Sequence, residues 1–162
     1  MAQATVATRP SFSVRLLIGG LVASMVMGMW EMILEAVIPG GSGFWSPVIY
    51  IAATVLRGLQ SAGSPVSFHL PGVVLGLMGH MMNSAILGLI FALLIAPRLR
   101  SPGGQIIGGM VFGVMIFAVM WFGVLPLIDP VMLNLNFVVF LLGHAMWGVA
   151  LGLVNYLVAG SA

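Results

Sequence analysis

GVVLGLMGHMMNSAILGLIFALLIA, residues Gly72–Ala96, runs 25 residues without a charged side chain. As a helix it rises roughly 37 Å, enough to cross a hydrocarbon layer about 30 Å thick. Moving outward, three further runs of the same kind appear at Val14–Val37, Ile106–Leu125 and Phe137–Ala159. The reading is an all-α membrane protein with four transmembrane helices, residues 1–162 forming a single integral membrane domain. Apolar residues make up 61% of the chain and charged residues 5%, too few to coat a water-facing globule of 162 residues. The principal partner is therefore the lipid bilayer.

Composition also excludes several chemistries. There is no Cys, so disulfides, thiolate zinc sites, iron–sulfur clusters and cysteine nucleophiles are all absent. The net charge of +2 arises from five Arg without any Lys, in no basic run, and no nucleic-acid partner is expected. No Ser-His-Asp arrangement, phosphate loop or paired-Asp motif has usable spacing, so the chain is not expected to be an enzyme.

Residues 1–13 form a polar tail, and the long run that follows exceeds a secretory signal's apolar core, so an uncleaved signal anchor is expected. Four spans place Arg9, Arg15 and the loop Pro97-Arg98-Leu99-Arg100 on one side, as the positive-inside rule asks of the cytoplasm. Both termini then lie in the cytoplasm, in a cell's inner membrane, with Arg57 outside. Residues 40–70 form an outer insert. Within it Ser46-Pro47 reads as a helix start, and the helix expected over residues 47–59 rises only about 20 Å. Val48, Ile51, Ala52, Val55 and Leu59 fall on one face, predicting an interfacial helix, with a fifth span as the alternative. Trp30, Trp45, Tyr50 and Trp121 are expected to form an aromatic belt at the outer boundary.

The chain echoes itself. Residues 79–90 align without gaps on residues 143–154, identical at six of twelve positions including Gly79-His80 and Gly143-His144. Ile18-Gly19-Gly20 answers Ile107-Gly108-Gly109 in the helix preceding each Gly-His helix. Two parallel-repeat hairpins are expected, the first enlarged by the insert.

Gly20, Ser24 and Gly28 form a small-residue stripe on the first helix, and Glu31 and Glu35 continue its face. His80 and His144 sit on comparable glycine stripes. The topology places Glu31, Glu35, His80 and His144 in one layer near the outer side. Intramembrane ionisable residues are costly and become functional candidates by default. A register-fixing Glu–His hydrogen bond is the plainest use. His80 and His144 could instead be axial ligands of a b-type haem, or join Glu31 and Glu35 around a transition metal. A proton or ion path is the third use. His69 reads as a solvated loop residue, and the methionines Met25, Met27, Met29 and Met32 as packing.

Gly79-His80 followed by Gly88-Leu89-Ile90-Phe91, then Gly108-Gly109 and Gly113, then Gly143-His144 with Gly148 and Leu151-Gly152, resembles a family of small bacterial multi-pass membrane proteins known only as a domain of unknown function. The likeness covers the last half of the chain and faintly the first helix, and it omits Glu31, Glu35 and the insert. It implies the architecture and no activity. The leading functional expectation is a small non-catalytic subunit or accessory component of a larger membrane complex, packed against other subunits or as a homo-oligomer. The alternatives are a haem- or metal-binding redox protein and a small oligomeric transporter.

Overall fold

A computed structural model describes residues 12–160 of the chain, with side chains described for residues 17–158. The tail expected over residues 1–13 lies almost wholly outside these residues, as does Arg9. Four helices are long and apolar enough to cross a membrane. They are α1 (Phe12–Val37), α3 (Leu70–Arg98), α4 (Pro102–Ile128) and α5 (Phe137–Gly160); the short α2 (Ser46–Ala53) lies in the insert. No strand occurs among the described residues. The four-span expectation holds, and among the described residues no fifth helix is long and apolar enough to cross.

Local chemistry accounts for the helix ends. Ser101 caps α4 by accepting the Gly104 N–H at 3.0 Å, with Pro102 in the first turn. His69 caps α3 in the same way, Nδ1 accepting from Gly72 N–H at 3.1 Å. This exposed loop histidine thus has a structural task. Asn136 accepts from the N–H groups of Val138 and Val139 at the start of α5. Beyond α1 the chain reverses through Gly40 and Gly43, at φ 76° and 95°, conformations that cost a glycine little. Both α3 and α4 widen into a π turn, at Phe91–Ile95 and Met120–Val124, just before Pro97 and Pro126. A proline supplies no N–H to the turn behind it, so the helical ladder must adjust there.

The helices pack in the order α3, α1, α5, α4. Burial follows that order: 39% and 44% of the apolar windows of α1 and α5 are covered, against 22% for α3 and for α4. The outer two keep most of their surface for lipid. Within each helix pair the backbones nearly touch. A Cβ built on Gly20 of α1 would lie 2.4 Å from the Ser84 carbonyl oxygen of α3, and one on Gly109 of α4 would lie 2.1 Å from that of Gly148 in α5. These are positions that the sequence echo matches, Gly20 with Gly109 and Ser84 with Gly148. In lipid such close approach gives packing contacts that larger residues forbid.

The insert departs from a single helix over residues 47–59. Its α-helix ends at Ala53, and Arg57–Ser61 forms a separate 3-10 turn. Seven of the eight α2 residues are buried, Ile51 being the exception. The Val48 carbonyl lies so close to Gly76 that a Cβ there would be 1.8 Å from the oxygen. Tyr50 is fully buried rather than belted at an interface. The helix is thus seated against α3, with α1 alongside.

Because the α4–α5 seam admits no side chain, Gly109→Val is expected to destabilise the protein by about 1–3 kcal/mol, as overpacking does. Gly123→Ala, with nothing within 4 Å of its Cβ, is expected to be nearly neutral. Thermal unfolding of the two variants in detergent checks this.

Candidate functional site

The order of packing leaves α3 and α4 as ends of an open row. They approach closely at one end only, where Phe91 and Phe112 lie 5.7 Å apart by ring centroids. Elsewhere the two helices diverge, and the space between them is a cavity of about 770 Å³. Leu75, Met78, Met81, Met82 and Leu87 line it from α3, and Ile116, Met120, Val124 and Leu125 from α4. Phe140, His144 and Trp147 of α5 and Met27 and Glu31 of α1 form its back wall. Met78 and Met82 are 63% and 64% exposed while lining it, so the mouth opens sideways, where lipid would stand.

Distinct groups stand at the two ends of the cavity along the helix axes. At the end bearing Arg98, Phe91, Phe112 and Trp147 form an aromatic row; Trp147 Nε1 donates to Ser84 Oγ at 2.5 Å, and Ser84 Oγ donates to the Gly20 carbonyl. At the opposite end the insert crosses from α3 toward the α4–α5 turn. Thr54 Oγ1 donates to Asp129 at 2.7 Å, Gln60 Nε2 donates to the other Asp129 oxygen, and Arg57 donates to the Ile128 carbonyl at 2.9 Å. Val131 N–H donates to Gln60 Oε1 in return. The insert is therefore a strap fastened over the cavity.

Three of the four expected site residues border this cavity. Glu31, His80 and His144 all line the cavity. His80 Nε2 donates to the Ser24 carbonyl at 3.0 Å and His144 Nδ1 to its own Phe140 carbonyl at 2.9 Å. Glu31 is 2% exposed, has no hydrogen bond or ion pair among the described residues, and its Oε1 is fully enclosed beside Gly143. It also lines, with His80, a smaller cavity of about 260 Å³ between α1, α2 and α3. The expected Glu–His hydrogen bond does not form.

Glu35, one turn farther on, turns away from this group. Its two carboxylate oxygens accept from Ser42 N–H at 2.8 Å and Asn136 N–H at 2.6 Å. Ser42 Oγ donates onward to the Asn134 carbonyl at 2.9 Å, so one carboxylate joins the loops of both helix pairs. Among the described residues no three His, Cys, Asp or Glu side chains come together as a metal centre would need. Glu31, Glu35, His80 and His144 thus do not form one ligand set: Glu35 is committed to backbone donors, and the other three border one cavity without converging on a point.

The pairing of Asp129 with Thr54 and Gln60 spans 75 and 69 positions of sequence, with no periodic signal to announce it. Burial pushes the Asp129 carboxyl up from its ordinary range, while the hydrogen bonds from Thr54 and Gln60 and the Arg57 charge pull it down. No family model, curated protein or solved structure matches the chain.

The raised Asp129 value fixes a sign. The folded state binds the proton more readily than the unfolded chain, so this contribution is fully present below the unfolded value and is lost as pH rises through the folded one. Wild-type protein is expected to lose stability relative to Asp129→Asn as pH rises from about 4. Unfolding midpoints of both proteins across pH 4–8 check it: a difference that does not move with pH counts against a titrating Asp129.

Proposed function

We propose that this chain is a non-catalytic multi-pass membrane protein of the accessory kind, whose work is to hold one hydrophobic molecule in the cleft between α3 and α4. The observation that carries this reading is the shape of the cleft: open sideways, with Trp147 of the Phe91–Phe112–Trp147 row at one end and the Asp129-fastened strap at the other. A partner transmembrane helix would have to pass through one of those ends. A small molecule entering from the bilayer does not. The volume of about 770 Å³ falls in the range of small-molecule pockets, whose walls are mostly apolar with a few polar groups placed among them. Six methionines line the cleft, a side chain whose flexibility and polarisability suit guests of varied shape.

A second reading, with haem or a metal at His80 and His144, has one observation in its favour. Each ring spends one nitrogen on a backbone carbonyl, an arrangement that orients ligating histidines elsewhere. A Soret band or stoichiometric metal in purified protein, lost in His144→Ala, would favour it over the hydrophobic guest.

The test is photolabelling in zwitterionic nanodiscs with an uncharged alkyl diazirine. Saturable labelling at Met78, Met81 and Met120 is expected, falling severalfold in Met120→Trp, which fills the cleft. Even labelling of all lipid-facing helix surfaces overturns the proposal. So does a cleft protected from label in a protein whose mass in solution is that of a dimer, since a second copy would then be the occupant.

A further inference from the structure

The polar atoms left over in the cleft narrow the class of guest, on the premise that the cleft holds a hydrophobic molecule at all. We infer that the guest is an uncharged lipophile carrying a hydroxyl group, whose O–H is accepted by His144 Nε2 in the back wall.

An anionic head group would find no counter-charge, since neither Lys nor Arg lines the cleft. Of the two acids in the lining, Asp129 already accepts from Thr54 and Gln60, and Glu31 has its Oε1 enclosed beside Gly143. Most neutral hydrogen-bonding groups of the lining are spent as well. Thr54 Oγ1 donates to Asp129, Trp147 Nε1 to Ser84 Oγ, and Ser84 Oγ to the Gly20 carbonyl. What remains is the Asn83 side-chain amide, exposed at the cleft, and one imidazole nitrogen on each histidine, none of them hydrogen-bonded among the described residues.

His144 is the best-placed of these. Its Nδ1 donates to the Phe140 carbonyl at 2.9 Å, which leaves Nε2 as the acceptor of the neutral ring. The residue lines the cleft, and Nε2 is not among the fully enclosed polar atoms. Phe140 and Phe117 hold the ring edge to face, at centroid distances of 4.4 and 5.9 Å. An acceptor fixed in this way needs no ordering when a guest arrives. His80 is less buried and borders the smaller cavity as well. Hydrocarbon offers His144 Nε2 no partner, so a guest without a donor leaves it unsatisfied. A hydroxyl supplies one donor without charge, whereas an ether supplies none.

The experiment sets four competitors with the same dodecyl body against the alkyl diazirine in nanodiscs, at equal mole fractions of the lipid: dodecanol, dodecyl methyl ether, dodecanoate and dodecylamine. Dodecanol is expected to displace the label from the cleft at about fivefold lower mole fraction than the ether, as one hydrogen bond to a buried acceptor would give. His144→Phe keeps a ring in place without the acceptor, and should bring dodecanol to the level of the ether while leaving the ether unchanged. Equal displacement by dodecanol and ether, or stronger displacement by dodecanoate or dodecylamine, overturns this inference and leaves the hydrophobic-guest reading standing. A preference for dodecanol that persists in His144→Phe overturns the assignment to His144. Absence of saturable cleft labelling overturns both readings. The ratio of dodecanol to ether on wild-type protein decides even where His144→Phe does not fold.

Discussion

Hydrocarbon supplies no hydrogen bonds, and every polar group carried into the bundle must therefore find its partner in the protein or exact a cost. Glu35 and Glu31 lie on the same face of α1, four residues apart, and meet this constraint in opposite ways. Glu35 receives two backbone N–H groups, one from the loop after α1 and one from the start of α5, and so ties the two helix pairs together at the insert end. Charge-assisted bonds of this kind are about twice as strong as neutral ones. Glu31 receives nothing from the described residues. The structure treats the first acid as a fastener and leaves the second available.

The same constraint shapes the cleft. The four long helices associate through small residues, with backbone meeting backbone at Gly20–Ser84 and Gly109–Gly148. These seams fix α3 on α1 and α4 on α5, and α1 against α5 completes the row. Matched seams would also allow α3 to close on α4, but it does so only at Phe91 and Phe112. The insert occupies the other end. Seated on α3 at Gly76 and tied to Asp129, it bridges the two diverging helices. Insert and cavity are thus one feature, a gap and the strap that roofs it.

Much of the fold was legible. Four spans follow from four long uncharged runs, because length and hydrophobicity measure directly what a bilayer demands. That Glu31, His80 and His144 border one cavity is in keeping with counting residues inward from the helix ends, since helical rise converts sequence distance into depth. Glu35 was misplaced for an instructive reason. Helical spacing put it on the face of Glu31, but its partners Ser42 and Asn136 lie in loops, where position is not periodic. Tyr50 was misplaced likewise: an aromatic near a helix start suits an interface, yet here it is fully buried.

By itself the sequence determined the solvent and the number of spans, properties of single helices in lipid. Tertiary structure alone decided which acid is free, that α3 and α4 part to make a cleft, and that the insert closes one end of it. Those outcomes rest on contacts between residues as far apart as Thr54 and Asp129 or Glu35 and Asn136. Such pairs depend on how helices lean and loops return, and neither leaves a period in the sequence.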